Sequence, residues 1–224
     1  MSIRAVAIDI DGTLSDESRN LHLGAIRKIR EIEARGIPVI LATGNILCIS
    51  EAASFFIGTS GPLIVENGGI IKAQSQRAIY LTESREINKA YQHLSKSLNV
   101  KKVARSELRK TEIAIYRTLS VDKIKDVLKN FNVEVVDTKF AIHIKDPGVN
   151  KGKALALVAK DAGLEPDQIV AIGDSENDRE MLQFADYSIS VGEEKLRDVC
   201  DYVTKDSVGK GGEEALKRVL SITN

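Results

Sequence analysis

The feature that most constrains the fold is an alternation of continuously apolar segments with segments of helical periodicity. Residues 3–10 are almost continuously apolar, and "IPVILAT" and "PLIV" repeat this pattern, each after a stretch with apolar residues at helical spacing. Strands that are apolar on both faces are typical of a parallel sheet covered by helices on both sides. We therefore expect an α/β fold with a doubly wound, Rossmann-like parallel sheet as its core.

The pattern changes in the middle of the chain. Between residues 82 and 149, "TEIAIYRT" and "FAIHIKD" alternate apolar and polar residues, and two amphipathic helical patterns accompany them. The first pattern returns in residues 150–224, where "QIVAIGD" is another continuous apolar run. We expect residues 1–81 and 150–224 to form the core, with residues 82–149 inserted as a small α+β domain.

Composition excludes some function classes. The 224 residues have a formal net charge of +0, so no basic excess favours nucleic acid. Apolar runs stay well below the ~18 residues of a membrane span, and the N-terminus lacks a signal-peptide pattern. Cys48 and Cys200 are far apart and lack CxxC spacing. We expect a cytoplasmic protein with reduced cysteines and no membrane or nucleic-acid partner.

Carboxylates gather where predicted strands end. Asp9 and Asp11 follow the first strand, and Asp174 and Asp178 lie in "GDSEND" after a later one. Ligands of open parallel sheets bind beyond the carboxyl ends of the strands. Carboxylates a few Å apart resist joint ionisation unless a cation lies among them, and Mg²⁺ prefers oxygen ligands of this kind. The pattern predicts a Mg²⁺ site.

Three further positions suit a phosphate group. Thr43 offers a hydroxyl, the backbone near Gly44 offers N–H donors, and Lys151 offers a positive charge. Taken singly, Thr43 and Lys151 have plain alternatives, since Thr43 can cap a helix and a lone lysine is usually a surface residue. Beside a metal-held phosphate, one carboxylate can act as nucleophile and a second as general acid and base.

Four motifs in order resemble the haloacid dehalogenase superfamily of phosphatases. They are "DIDGT" from Asp9, "TGN" from Thr43, Lys151, and "GDSEND" from Gly173. The inserted segment resembles the C2 type of cap in that superfamily, and "ENGG" at residues 66–69 is typical of the same branch. The resemblance covers essentially the whole chain.

The resemblance implies a role for each motif residue. Asp9 is implied as the nucleophile and a Mg²⁺ ligand, and Asp11 as the general acid and base whose backbone carbonyl also binds the metal. Thr43 and Lys151 are implied to bind the phosphoryl group. Asp174 and Asp178 are implied as metal-binding residues.

A narrower resemblance concerns the substrate. The stretches "EAASFFIGTSGP", "FAIHIKDPGVNKG" and "DYVTK" are similar to archaeal phosphoglycolate phosphatases, which implies hydrolysis of 2-phosphoglycolate to glycolate and phosphate. Arg117, His143 and Lys145 are cations of the inserted segment that could contact the substrate carboxylate. Alternation along "FAIHIKD" equally allows His143 and Lys145 to lie on a solvated sheet face.

Other functions stay open at this point. A sugar-phosphate phosphatase or a phosphomutase of the same superfamily would use the same motifs. A signalling receiver domain also combines acidic residues, Mg²⁺, Thr and Lys, but its phosphoacceptor normally follows the third strand of a shorter chain. The expected partner is a small phosphorylated substrate, and the chain could be a monomer or a homodimer.

Overall fold

The structure is a computed structural model that describes residues 2–138, 140–192 and 194–223. Within these ranges the strands are β1 (Ala5–Ile8), β2 (Val39–Ala42), β3 (Leu63–Val65), β4 (Ile70–Lys72), β5 (Ile79–Tyr80), β6 (Glu112–Ile115), β7 (Glu134–Asp137), β8 (Ile142–Lys145), β9 (Ile169–Gly173), β10 (Tyr187–Ser190) and β11 (Tyr202–Val203). The helices are α1 (Leu23–Ala34), α2 (Leu47–Ile57), α3 (Arg85–Ser97), α4 (Val121–Leu128), α5 (Lys151–Ala162), α6 (Arg179–Phe184) and α7 (Val208–Ile222).

The main sheet has the strand order β11-β10-β9-β1-β2-β3-β4-β5. The pairs from β11 to β3 are parallel, and β4 and β5 extend the sheet as antiparallel strands. The order reverses at β1, whose neighbours β2 and β9 come from opposite ends of the chain. The carboxyl end of β1 is therefore a topological switch point, where α/β sheets bind ligands.

Successive residues of β1 contact opposite layers. Val6 and Ile8 pack into a cluster that includes residues of α1 and α7, whereas Ala5 and Ala7 pack into a cluster with residues of α5 and α6. All four side chains are fully buried, which explains the continuous apolar run. The predicted α/β class with a doubly wound sheet is confirmed.

A second sheet, with the order β6-β8-β7, is antiparallel and lies within the inserted segment. Ile113 and Ile144 point to the same face of this sheet and join a cluster with Ile87 and Leu94 of α3 and Ile124 of α4. The opposite face carries polar residues, including Glu112 and His143. The predicted domain boundaries at residues 81/82 and 149/150 stay a prediction.

Element ends differ from the sequence expectation in a few places. The strand predicted over residues 3–10 is shorter in the structure, where β1 spans Ala5–Ile8. It ends at Ile8 because the chain then turns into the loop that carries Asp9 and Asp11. Residues 70–80 form a hairpin in which β4 and β5 pair antiparallel. Helix α7, which closes the described chain, begins at Val208. In the described ranges, each helix falls short of the length and hydropathy needed to cross a bilayer.

Candidate active site

Two parallel neighbours bring the first two carboxylates together. Asp9 directly follows β1 and Asp174 directly follows β9, and these strands pair in the register Ile8 with Ile172. The Asp9 N–H donates to the carbonyl of Ile172 at 3.0 Å, which extends the pairing by one residue. Both carboxylates consequently lie at the same edge of the sheet, as the strand pattern predicts.

Asp178 joins them through a tight turn. Residues Glu176–Asp178 form one 3-10 turn before α6, and Oδ2 of Asp178 accepts the N–H groups of Asp174 and Ser175, each at 3.1 Å. Oxygen atoms of Asp9, Asp174 and Asp178 lie within 4.8 Å of one another, and all three residues are buried. The spacing of four residues in "GDSEND" thus places the carboxylate of Asp178 next to that of Asp174.

Lys151 reaches this cluster from the first residue of α5. Asn150 caps the helix, accepting the N–H of Lys153 at 2.8 Å. The Nζ atom of Lys151 lies 2.5 Å from Oδ1 of Asp9 and 2.6 Å from Oδ1 of Asp178. The side chain is fully buried, so the surface-lysine alternative is wrong. Burial lowers the pKa of Lys151, but the two carboxylates outweigh it, and the pKa is raised overall.

The cluster favours a bound cation. Burial raises the pKa of Asp9 well above its ordinary value; Lys151 counteracts this effect, while Asp178, Asp174 and Asp11 add to it. A second positive charge among these oxygens would lower the free energy of the ionised carboxylates. Three buried carboxylates with converging oxygens are a donor set suited to a hard divalent cation.

Asp11 lies in the same loop, but its carboxylate has other partners. It accepts hydrogen bonds from Arg19 Nε at 2.8 Å and from Asn45 Nδ2 at 2.5 Å. Directly after Asp11, Gly12 has φ +90°, and a Cβ there would lie 2.5 Å from Oδ2 of Asp174. A glycine is required for the loop to pass this close to the carboxylate cluster.

The segment Thr43–Asn45 follows β2, the other neighbour of β1. The hydroxyl oxygen of Thr43 accepts hydrogen bonds from the backbone N–H and the side-chain amide of Asn45, at 3.1 and 3.2 Å. The Thr43 hydroxyl proton is therefore still available to donate to a ligand. The structure thus brings Asp9, Asp11 and Thr43 to the ends of neighbouring strands.

A cavity of about 300 Å³ opens between the main sheet and the inserted segment. Of the predicted site residues, Asp9, Asp11 and Gly44 line it, while Thr43, Lys151, Asp174 and Asp178 are not among its lining residues. Among the described residues, the other charged or imidazole-bearing side chains that line it are Arg19, Arg105, Arg109 and His143. A ligand in this cavity would contact Asp9 and the inserted segment together.

The three predicted cations of the inserted segment differ in position. Arg117 pairs with Asp137 and does not line the cavity. Lys145 is buried, with Nζ 2.5 Å from Glu134 and 2.6 Å from the carbonyl of Val149. His143 lines the cavity but is buried against Glu112. The solvated-face alternative for His143 and Lys145 is therefore wrong, because neighbouring chain covers that face.

Sequence reasoning missed a buried polar network between the two sheets. Glu112 accepts hydrogen bonds from Asn67 Nδ2 at 2.8 Å and also bonds His143 Nδ1 at 2.8 Å and Arg109. Burial raises the pKa of Glu112, but His143 and Arg109 outweigh this effect and bring it to about 2. A charged residue in an otherwise apolar strand is the sequence signal that could have pointed to Glu112.

The "ENGG" segment links the same two regions. Glu66 is buried, and its carboxylate accepts the backbone N–H groups of Lys110 and Thr111 and the Thr111 hydroxyl at 2.7–3.1 Å. Glu66 and Asn67 have positive φ angles of 51° and 53°, which non-glycine residues rarely adopt. Contacts between the Glu66 carboxylate and the inserted segment stabilise this strained backbone.

Comparison with known proteins agrees with this architecture. The sequence model of the haloacid dehalogenase-like hydrolase family matches residues 6–103 and 82–212. The chain belongs to the haloacid dehalogenase-like hydrolases. The resemblance of the four motifs to this superfamily is therefore confirmed, and the chain is an enzyme of this family.

Similar full-length relatives include two archaeal proteins named phosphoglycolate phosphatase. The Methanothermobacter thermautotrophicus protein is 42% identical over 97% of this chain and 99% of its own length. The Methanosarcina acetivorans protein is 44% identical over 97% of this chain and 96% of its own. A crystal structure of a Thermoplasma acidophilum protein superposes with a TM-score of 0.90 at 27% identity, covering 97% of this chain and 98% of that one. These relatives and the fold support a phosphatase.

Proposed function

We propose that this enzyme hydrolyses 2-phosphoglycolate to glycolate and phosphate, depends on Mg²⁺, and forms an aspartyl-phosphate at Asp9. The observation that carries the proposal is the position of Asp9. Its carboxylate lies at the switch point of the sheet, lines the cavity, and is 2.5 Å from the Lys151 ammonium. A buried carboxylate with a cation beside it and open access to a ligand is suited to attack phosphorus.

The metal would be held by the carboxylate cluster. Asp9, Asp174 and Asp178 offer converging oxygens, and the backbone carbonyl of Asp11 is the further ligand that the family resemblance implies. When bound, Mg²⁺ supplies positive charge that offsets the negative charge of the phosphoryl group and of the carboxylates. Lys151 supplies the protein's own positive charge at the same place.

The first chemical step transfers the phosphoryl group to Asp9. One carboxylate oxygen of Asp9 attacks phosphorus as the bond from phosphorus to the glycolate oxygen breaks. Asp11, two residues away and also lining the cavity, gives its proton to the departing oxygen. The Thr43 hydroxyl, the backbone near Gly44 and Lys151 donate to the phosphoryl oxygens as charge develops there.

The second step restores the enzyme. Asp11, now ionised, takes a proton from a water molecule, whose oxygen attacks phosphorus and breaks the bond to Asp9. Phosphate leaves, Asp9 returns as a carboxylate, and Asp11 is protonated again, so the cycle balances without another reactant. In the ionised form that this step requires, the Asp11 carboxylate is held near the cavity by Arg19 and Asn45.

We also propose that residues 82–149 act as the cap. The polar face of the β6-β8-β7 sheet meets the main domain at Asn67, and the inserted segment contributes Arg109 and His143 to the cavity. A cap in this position excludes water and contacts the leaving group.

The cytoplasmic location, and the monomeric or homodimeric state, stay predictions from the sequence.

The choice of substrate draws on the names of the relatives and on cavity size. Both archaeal relatives above are named for phosphoglycolate, and about 300 Å³ is at the small end of ligand pockets. A sugar-phosphate phosphatase or a phosphomutase stays the alternative within the family. The receiver-domain alternative has no support, because the chain belongs to the hydrolase family.

The test is phosphate release from 2-phosphoglycolate and a panel of sugar phosphates, with Mg²⁺ and with a chelator. The proposal predicts that the highest kcat/KM is for 2-phosphoglycolate and that the chelator abolishes release. Comparable release from many sugar phosphates would contradict the substrate but keep the phosphatase. Interconversion of sugar phosphates without net release would favour the mutase instead.

A further inference from the structure

Arg109 is a cavity-lining guanidinium that the proposed reaction leaves unused. It follows the 3-10 turn Ser106–Leu108, and its side chain is only 9% exposed. Its Nη1 donates two hydrogen bonds, one to the carbonyl of Gly44 at 2.8 Å and one to the carboxylate of Glu112. Its Nε is buried and has no hydrogen-bond partner within the described ranges. A buried charged donor without an acceptor is costly, so the unpartnered Nε points to a ligand.

The hydrogen bonds that Arg109 makes with the described residues fall on Nη1 and leave the Nε–Nη2 edge open. Nε and Nη2 form the side of the guanidinium that can donate two parallel hydrogen bonds to a carboxylate. Glu112 holds the opposite side, and Glu112 is itself held by His143 and Asn67. The planar group is thereby fixed in orientation before any ligand arrives, which reduces the entropy lost on binding.

The position of Arg109 limits what it can bind. Its direct hydrogen bond to Gly44 places the guanidinium next to the segment predicted to hold the phosphoryl group. A leaving group that reaches from that segment to Arg109 must be short. In 2-phosphoglycolate the carboxylate is attached to the carbon that carries the phosphate ester, so the two charged ends are close together.

Other cations at the cavity are less suited. Arg19 is half-exposed, and its Nε donates to Asp11. Arg105 is exposed on the protein surface. His143 is buried, with Nδ1 engaged by Glu112. Arg109 combines burial, a fixed plane and an open pair of donors.

We propose that Arg109 binds the carboxylate of the leaving group through its Nε–Nη2 edge and so determines the preference for a carboxylate-bearing substrate. This inference rests on the proposed function, and it adds a specificity-determining residue that sequence reasoning missed. In this proposal Arg109, and not Arg117, His143 or Lys145, is the cation that binds the substrate carboxylate.

The test compares two substrates that share the phosphate ester. One is 2-phosphoglycolate, and the other is ethyl phosphate, which has a methyl group in place of the carboxylate. The kcat/KM of each is measured for wild type, Arg109→Met, Arg109→Lys and the rival candidate Arg117→Met. Arg109→Lys keeps the charge but loses the paired donors, and Arg117 serves as a matched arginine of the inserted segment outside the cavity.

For wild type we expect a strong preference for 2-phosphoglycolate. The preference is measured as the kcat/KM for 2-phosphoglycolate divided by the kcat/KM for ethyl phosphate. Arg109→Met should lower this ratio about 10- to 100-fold, the effect of losing a hydrogen bond to a charged group. Arg109→Lys should give a smaller reduction, and Arg117→Met should leave the ratio unchanged.

The remaining outcomes are distinguishable. An unchanged ratio in both Arg109 variants, or a reduced ratio in Arg117→Met, would overturn the role of Arg109 while the enzyme still hydrolyses 2-phosphoglycolate. If Arg109→Met fails to fold, the ratio in Arg109→Lys decides the question. A wild type that releases no phosphate from 2-phosphoglycolate but does so from other esters would overturn the proposed function itself.

Discussion

The ammonium nitrogen of Lys151 lies 2.5 Å from Oδ1 of Asp9, although 142 positions separate the two residues in the chain. Their side chains are 0% and 6% exposed. Helix α5 begins at Lys151, and β1 ends one residue before Asp9, so a helix start and a strand end meet at one point. The same ammonium also contacts Asp178, which makes Lys151 the cation shared by two buried carboxylates.

Replacing Lys151 with methionine should therefore impair both stability and activity. The change leaves Asp9 and Asp178 buried without their cation, and breaking a buried ion pair in this way costs about 3–5 kcal/mol. We expect a loss of this size in the free energy of unfolding of the metal-free protein, measured by urea denaturation. Phosphate release should fall by at least about 100-fold, since a group that stabilises transition-state charge is removed.

Lys153→Met provides the control for that prediction. Lys153 lies on the same helix but is exposed, and its Nζ donates to the carbonyl of Gly148 at 2.9 Å. Its replacement should change stability by less than about 1 kcal/mol. Mg²⁺ should raise the melting temperature of Lys151→Met more than that of Lys153→Met, because the carboxylates then gain a cation. Equal stability of the two variants would contradict the account of the cluster.

The "ENGG" turn gives a prediction about stability alone. Gly68 has φ +95°, and a Cβ there would lie 2.2 Å from the carbonyl oxygen of Asn150, the cap of α5. Gly36 also has a positive φ, +76°, but a Cβ at Gly36 would meet no atom of the described residues within 4 Å. Gly36→Ala should cost about 1–2 kcal/mol, the left-handed backbone penalty alone. Gly68→Ala should cost clearly more in urea denaturation; equal costs would show that this close approach is unimportant.

Glu112 predicts a specific pH dependence of stability. Its pKa is about 2 in the folded chain against an ordinary value of 4.5, so folding favours the ionised form. Its contribution to stability is therefore fully present above about pH 4.5 and is lost as the pH falls toward 2. At pH 7 this contribution is about 3 kcal/mol relative to a normal carboxyl.

Glu112→Gln should remove that dependence. The difference in unfolding free energy between wild type and Glu112→Gln should be constant from pH 7 to about 5 and should shrink toward about pH 3. Glu107→Gln is the matched control, because Glu107 is exposed on the neighbouring turn and should give a difference near zero throughout. A difference for Glu112→Gln that does not change with pH would contradict the ionised state of Glu112.

Much of the site could be predicted from sequence because several of its residues directly follow the carboxyl ends of strands. The positions of Asp9 and Asp174 follow from two continuous apolar runs, since such runs form parallel neighbours and their carboxyl ends meet. The position of Lys151 does not follow from the residues alone. A lysine after a cap residue is usually solvated, and only the fold shows that this helix starts against the carboxylates.

The residues of the inserted segment could not be predicted in the same way. Alternation along β8 assigns His143 and Lys145 to one face, and the structure agrees, but alternation does not reveal what covers that face. The cover comes from Asn67, which lies 76 positions from His143 in sequence, and from Glu134 on the neighbouring strand β7. Arg109 lies outside any strand or motif, so neither periodicity nor spacing pointed to it.

The most direct test of the central claim is whether Asp9 carries the phosphoryl group during turnover. The substrate for this measurement is p-nitrophenyl phosphate, whose leaving group needs no proton from Asp11. With Asp11→Asn, transfer to Asp9 should proceed while the attack of water is slowed, so the phosphorylated enzyme should accumulate. Intact-protein and peptide mass spectrometry after rapid quenching then locates the added group.

The account predicts one added phosphoryl group on the peptide that contains Asp9 in Asp11→Asn. It predicts none in the double variant Asp9→Asn with Asp11→Asn, and no turnover by Asp9→Asn alone. A phosphoryl group on another residue, or steady phosphate release by Asp9→Asn, would contradict the assignment of Asp9 as the nucleophile.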